Sequence, residues 1–272
     1  MNLKNKTIAF IGAGNMGEAL IRGLLAAGEI KPERIIITDI REERLGTLSK
    51  AFGVRTSTDN AAAVAASDIV LLAVKPQQMT HALAGFRDQM TGDKLIISIA
   101  AGIPTTKIEG ALGGAPHVVR VMPNTPALVG AGATALCKGR HATDNDLAIA
   151  ETILGAVGTT ARTEEQFMDA VTALSGSGPA YIFLVAEAMT KAGIEVGLSE
   201  HVSQMLTRQT ILGAARLMVE SGELPAELRR RVTSPGGTTE AAIKVMNDRK
   251  LMEIFVEAIK AATQRGHELS GS

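Results

Sequence analysis

Residues 8–17 read Ile-Ala-Phe-Ile-Gly-Ala-Gly-Asn-Met-Gly, and no other stretch limits the fold of this chain so tightly. An apolar, β-branched run stops at glycines spaced G-x-G-x-x-G, and apolar residues then recur at helical spacing from Met16 to Ala27, ending at Gly28. A strand that turns this sharply into a helix belongs at the start of a βαβ unit. Gly12 permits the tight turn, Gly14 lets the backbone approach a diphosphate, and Gly17 lets helix and strand pack closely. Ala13, Asn15 and Met16 complete a loop whose amides, at a helix N-terminus, suit phosphate oxygens. The implied ligand is a dinucleotide.

From Thr7 to about Arg162, short β-branched runs alternate with helical stretches, the pattern of a parallel sheet with crossover helices. Strands are expected over 7–11, 34–39, 68–74, 94–99 and 117–121. Two more, over 133–138 and 158–162, would extend the sheet edge, with a helix over 143–154 between them. After Thr163 the β-branched runs disappear, and 164–193, 199–221, 226–233 and 239–268 all carry helical periodicity. The expected fold is α/β: a Rossmann-type, doubly wound, mostly parallel sheet in residues 1–162, then an all-helical domain in 163–272. With aromatics at 3% and no Trp, the helices would pack closely through small and flexible side chains.

Composition removes several classes of partner. Lys+Arg and Asp+Glu are both 28, and no basic stripe points to nucleic acid or an anionic membrane. Any acidic ligand must therefore be held locally. No uncharged apolar run approaches the roughly 20 residues that span a bilayer, and residues 1–6 lead into the first strand without a secretory pattern. Cys137 is the lone cysteine, so an internal disulfide and a thiolate metal cluster are excluded and a reducing cytoplasm is expected. His81, His117, His141, His201 and His267 show no paired-ligand spacing, and no metal is expected.

Asp39 ends the second expected strand, roughly twenty positions past Gly17, where an acidic residue commonly accepts from the adenosine ribose hydroxyls. That favours NADH. Arg41 and Arg44 follow at once and could pair with a 2′-phosphate, so NADPH stays open.

A third glycine motif, Ser175-Gly176-Ser177-Gly178-Pro179-Ala180-Tyr181-Ile182, opens the helical region. β-Hydroxyacid dehydrogenases carry a G-x-G-x-x-x-K element there, but the lysine position is Ile182 in this chain. Reducing a ketone requires a group that delivers a proton to oxygen. A cyclic imine does not, because its nitrogen takes a proton from solvent and the iminium accepts hydride directly.

Four segments then carry a resemblance to the pyrroline-5-carboxylate reductases over essentially the whole length. They are Phe10-Ile11-Gly12-Ala13-Gly14-Asn15-Met16, Ala73-Val74-Lys75-Pro76-Gln77, Arg120-Val121-Met122-Pro123-Asn124-Thr125-Pro126 and Val232-Thr233-Ser234-Pro235-Gly236-Gly237-Thr238-Thr239. The resemblance implies reduction of 1-pyrroline-5-carboxylate to L-proline with NADPH or NADH. It places Ala73, Val74, Lys75 and Pro76 near the nicotinamide ribose and Asn60 against the adenosine half. Asn124 and Pro126 would line the substrate crevice. Ser234, Gly236, Gly237 and Thr238 would hold the substrate carboxylate, and Thr239 would contact the ring nitrogen. It further implies a homodimer through the helical domain, with higher assemblies of dimers in the family.

The residues alone agree on the carboxylate loop: amides freed by Gly236 and Gly237 ahead of a helix suit a small acid without any arginine. A plain turn with a threonine cap would look the same. Lys75 and the run Arg229-Arg230-Arg231 also suit solvated surface. Two other functions fit the glycine loop. A β-hydroxyacid dehydrogenase would turn over a small 3-hydroxy acid and not the imine, and a non-catalytic dinucleotide sensor would consume no NADH with either.

Overall fold

The computed structural model describes residues 3–271. Eight strands form one sheet: β1 (Ile8–Ile11), β2 (Ile35–Thr38), β3 (Arg55–Ser57), β4 (Ile69–Leu72), β5 (Leu95–Ser98), β6 (His117–Met122), β7 (Gly132–Lys138) and β8 (Gly158–Arg162). Their order is β3-β2-β1-β4-β5-β6-β7-β8, parallel throughout except between β6 and β7. The chain leaves β1 toward β2 on one side and later returns to β4 on the other. That reversal makes the carboxyl ends of β1 and β4 the topological switch point, where open α/β sheets bind ligands.

Strands β1 and β4 are apolar at every position, and β2 and β5 at all but the last, because both faces are covered. Ile8, Phe10, Ile35, Ile37, Ile69 and Leu71 pack toward the helices α1 (Asn15–Ala26) and α2 (Glu42–Phe52). The alternate residues, among them Ala9, Ile11, Val70 and Leu72, pack on α3 (Asn60–Ala65), α4 (Met79–Ala84) and α5 (Thr105–Leu112). Each such isoleucine or leucine contributes about 1.5 to 3 kcal/mol by leaving water. Helix α6 (Asp144–Gly155) joins the first face through Leu147, Ala150 and Ile153 and starts at a Thr143–Asp146 capping box.

The rest is helical: α7 (Met168–Val171), a π turn over Thr172–Gly176, α8 (Gly178–Glu195), α9 (Glu200–Ser221), α10 (Pro225–Arg231), α11 (Thr238–Asp248) and α12 (Leu251–Ser270). The α/β sheet followed by helices is the expected class. The chain divides into two compact units, one running to Ser177 and rejoined from Ala262, the other from Gly178 to Ala261. In the first unit, α7 packs Met168 against Ala135 and Cys137 of β7. The end of α12 comes close enough that a Cβ on Gly266 would lie 3.0 Å from that of Asp169.

The second unit contributes no apolar side chain to the buried core, whose last member in sequence is Ala173. Ser203 and Thr207 are its buried residues, while Phe183, Leu184 and Val219 are 61%, 66% and 82% exposed. No helix among the described residues is long and apolar enough to cross a membrane.

Two elements depart from the periodicity. The expected helix over 239–268 breaks after Asp248, where Lys250 takes φ +57°. The expected helix over 164–193 is a 3-10 turn, α7, the π turn and α8 in succession.

Candidate functional site

The glycine loop occupies the switch point. Gly12 follows β1 at φ +105°, and a Cβ there would lie 2.7 Å from the Ala73 carbonyl oxygen at the end of β4. Only glycine fits both that backbone angle and that gap. The Gly12 amide donates to Thr38 O at 2.9 Å, and the Ala73 amide to Ile11 O at 2.8 Å, which ties β1, β2 and β4 together at the crevice. Gly17, buried in α1, has room for a Cβ only 3.3 Å from Gly12 O, so the helix lies close on the strand.

Gly14 is the N-cap of α1, and no side chain caps it. The first intrahelical bond is donated by Glu18 to Gly14 O, so the amides from Asn15 to Gly17 have no helical acceptor. A Cβ at Gly14 would meet nothing closer than Ala73 O at 3.9 Å. The open space and the uncapped, positive helix end fit a diphosphate.

Asp39 stands beside this loop. Its Oδ2 accepts the Ala13 amide at 2.9 Å, and its Oδ1 accepts the Arg41 amide at 3.0 Å. Arg41 adds Nε to Oδ1 at 2.9 Å and Nη2 to Oδ2 at 3.0 Å. The Arg41 fork foremost, then the Ala13 amide, hold the carboxyl down at about 2 against the opposing effect of burial. Arg44 turns inward, giving Nε to Ala13 O at 2.9 Å and Nη2 to Glu18, whose carboxyl it also lowers. Asn60, the first residue of α3, accepts the Thr38 hydroxyl at 2.6 Å through Oδ1, leaving its amide donors available. Ala73 and Val74 are half-buried past the end of β4, and Lys75 and Pro76 are exposed.

Asn124 lies past β6 in the first unit and joins two backbone segments. Nδ2 donates to Ser175 O in the π turn at 3.1 Å, and Oδ1 accepts the Ala133 amide at 2.9 Å.

In the second unit, Ser234 to Gly237 turn into α11. Gly236 has φ +71°, the left-handed region that glycine adopts without strain. A Cβ on Gly237 would strike Ser234 Oγ at 2.5 Å. Gly237 is an N-cap with no side-chain bond, so the amides of Thr238, Thr239 and Glu240 are uncapped. The Gly236 amide donates at 2.8 Å to Glu240, which sets a carboxylate of the chain itself on this turn. The Thr239 side chain is half-buried, and an open groove runs from Gly236 and Gly237 along α11 to Asp248. Arg230 and Arg231, of the basic run ahead of this loop, pair with Glu227 and Glu223.

Sequence reading missed two features. Glu240 stands at the third position of α11, where a glutamate often reaches back to amides ahead of the helix, and that spacing is the signal for it. The other is a buried network around Arg120 of β6, whose side chain is 5% exposed. Its Nη1 donates to Glu165 at 2.7 Å, and its Nη2 lies 3.7 Å from Asp169. Asp169 in turn meets His267 Nδ1 at 3.1 Å and accepts the Ser270 hydroxyl at 3.0 Å, which fastens the end of α12. Burial pushes the nearby Cys137 thiol up to about 12. No local pattern announces contacts between residues so distant in sequence.

Comparison with known proteins bears on both units. Residues 165–269 match a family model described as pyrroline-5-carboxylate reductase dimerisation, and residues 7–102 match one described as NADP oxidoreductase, coenzyme F420-dependent. The chain is 45% identical over 267 residues to the pyrroline-5-carboxylate reductase of Methanosarcina acetivorans, covering 98% of this chain and 99% of that one. It is also 45% identical to that of Pseudomonas aeruginosa, over 97% of this chain and 96% of that one. A solved pyrroline-5-carboxylate reductase from Coxiella burnetii superimposes with a TM-score of 0.93 at 42% identity, covering 98% and 99% of the two chains. A Plasmodium falciparum pyrroline carboxylate reductase with NADP bound gives 0.86 at 30% identity, covering 98% and 99%. A 3-hydroxyisobutyrate dehydrogenase from Mycobacterium tuberculosis, 18% identical with a TM-score of 0.54, shares the fold alone. With near-complete coverage at such identity, the chain belongs to the pyrroline-5-carboxylate reductase family.

Proposed function

We infer that the chain reduces L-1-pyrroline-5-carboxylate to L-proline with NAD(P)H, the last step of proline biosynthesis. Full-length identity of 45% to curated reductases carries the reading. Two glycine-opened helix N-termini, at Gly14 and at Gly237, support it with a place for a diphosphate and a place for a small carboxylate.

Hydride for the imine carbon is supplied by the reduced nicotinamide when bound. The amides from Asn15 to Gly17 would bind the diphosphate, Asp39 and Asn60 the adenosine half, and Ala73 to Pro76 the nicotinamide ribose. In the second unit, the turn Ser234-Pro235-Gly236-Gly237-Thr238 would hold the substrate carboxylate, which takes over the place of Glu240 at the Gly236 amide. Thr239 would orient the ring nitrogen through its hydroxyl, and Asn124 would shape the crevice by fixing the backbone at Ser175. The iminium proton comes from solvent, consistent with Ile182 in place of a lysine. Catalysis then rests on holding the iminium and the hydride donor at attack distance. Residues 1–162 serve the cofactor in this reading, and 163–272 serve the substrate and the dimer.

A homodimer follows from the second unit. Helices without a buried apolar side chain have no core of their own, and residues such as Phe183, Leu184 and Val219 need a second copy to cover them. We place the enzyme in the cytoplasm, where the lone, buried Cys137 stays a thiol.

Thr239→Ala tests the catalytic assignment. Loss of one orienting hydrogen bond to a charged group predicts a fall in kcat of about ten- to a hundredfold, with cofactor affinity unchanged. Wild-type turnover by this variant would remove Thr239 from its role. Consumption of NADH with a small 3-hydroxy acid product and none with the imine would overturn the reaction itself.

A further inference from the structure

We propose that this enzyme selects NADH over NADPH through Asp39, and that Arg41 and Arg44 hold the glycine loop instead of recognising a 2′-phosphate. The proposal rests on the reductase reading above and names the cofactor selection at that same site.

Four donors converge on the Asp39 carboxylate: the amides of Ala13 and Arg41 and two nitrogens of the Arg41 fork. A ribose hydroxyl needs one of these, an Arg41 N–H, to step aside. The guanidinium then stays beside the carboxylate, and both charges remain matched. A 2′-phosphate makes a different demand, because it is an anion arriving where an ionised carboxylate already stands. To hold it, Arg41 would have to leave Asp39 altogether, which strips one anion of its partner within reach of a second.

Arg44 offers no replacement. Its side chain is 23% exposed, with Nε on the Ala13 carbonyl and Nη2 on Glu18. Turning it outward would release the Ala13 carbonyl inside the loop that is to receive the diphosphate. Asp39 and Arg44 thus grip the same peptide residue from opposite ends, one at the Ala13 amide and the other at its carbonyl. The low pKa of Asp39, about 2, keeps the carboxylate ionised at every working pH.

The experiment is titration of the full-length enzyme with NADH and with NADPH, read by nicotinamide fluorescence, with initial rates on the imine in parallel. NADH should bind at least about tenfold more tightly, the scale of one charge-assisted hydrogen bond. Arg41→Ala should weaken NADPH no more than it weakens NADH. Asp39→Ser should move the affinity ratio toward NADPH by about tenfold or more, with a melting curve confirming that the variant is folded. Wild-type enzyme binding NADPH as tightly as NADH overturns the proposal, whatever the variants do. So does an Arg41→Ala variant that loses NADPH affinity selectively. Absence of imine turnover with both nucleotides would refute the reductase reading and leave the binding ratio standing as its own result.

Discussion

Gly12 and Gly14 stand two residues apart in one loop, and their surroundings predict opposite consequences for the same added methyl group. At Gly12 an alanine Cβ would lie 2.7 Å from the Ala73 carbonyl oxygen, 2.9 Å from its carbon and 3.1 Å from the Val74 nitrogen, all backbone atoms of the neighbouring strand segment. Backbone cannot swing aside as a side-chain end can. Holding alanine at φ +105° costs about 1 to 3 kcal/mol, and prising β1 from β4 adds about 1 to 3 kcal/mol. Gly12→Ala should therefore lose about 2 to 6 kcal/mol of stability, a melting-point drop of about 4 to 24 °C for a unit of this size. At Gly14 the backbone, φ −72° and ψ 176°, accepts alanine, and the nearest atom to its Cβ is 3.9 Å away. Gly14→Ala should cost about 0.5 to 1 kcal/mol, the difference between glycine and alanine at an N-cap. Its methyl would instead stand where the diphosphate approaches the amides, weakening dinucleotide binding by about ten- to a hundredfold. Differential scanning calorimetry and nucleotide titration of both variants separate the two effects. A Gly12→Ala protein that melts with the wild type, or a Gly14→Ala protein with wild-type nucleotide affinity, would refute the placement of this loop.

Two other consequences follow from the ion pairs. Arg120→Ala leaves the carboxylates of Glu165 and Asp169 without their buried cation, which should cost about 3 to 5 kcal/mol in chemical denaturation; a change under about 1 kcal/mol would show that the network contributes little. Asp39 titrates near 2 in the folded protein and at an ordinary 3.8 otherwise, so its stabilisation is complete above the ordinary value and lost as pH falls toward 2. With Arg41 largely in water the contribution is about 1 to 2 kcal/mol. The stability gap between wild type and Asp39→Asn should accordingly close between about pH 4 and pH 2, and a gap independent of pH would disprove the assigned cause.

The parts of this fold that could be read from sequence are those with local causes. Strands β1, β2, β4, β5 and β6 announced themselves as apolar runs because a parallel sheet covered on both faces admits little else, and β7 and β8 were expected at its edge. Strand β3 did not, since Arg55-Thr56-Ser57 is a polar edge defined only by its pairing with β2. The break at Lys250 was equally hidden: the apolar spacing of 239–248 and of 251–268 suits one helix, and no glycine or proline marks the junction. At the cofactor loop, Gly12 was legible because the glycine spacing itself calls for a tight turn there, although the Ala73 carbonyl that crowds it comes from another segment. Whether Arg41 and Arg44 faced a phosphate or the protein depended on side-chain directions, which spacing does not encode. Arg120 lay unremarked inside a motif quoted for its asparagine and prolines, its partners 45 and 49 positions away in Glu165 and Asp169.

The signature segments divide by what their side chains do, and the division bears on the chemistry. Arg120 and Asn124 come from one segment, yet both are committed inside the protein, the first to two carboxylates and the second to two backbone groups. The glycines of the other segments act by having no side chain at all, at Gly12 by admitting the Ala73 carbonyl and at Gly237 by admitting Ser234. Both glycine segments leave uncapped backbone amides at a helix N-terminus, that of α1 and that of α11. Amides hold anions well and move protons poorly. That supports the proposed reaction, whose substrate would bring its own carboxylate and its own protonated nitrogen and ask of the protein placement rather than acid.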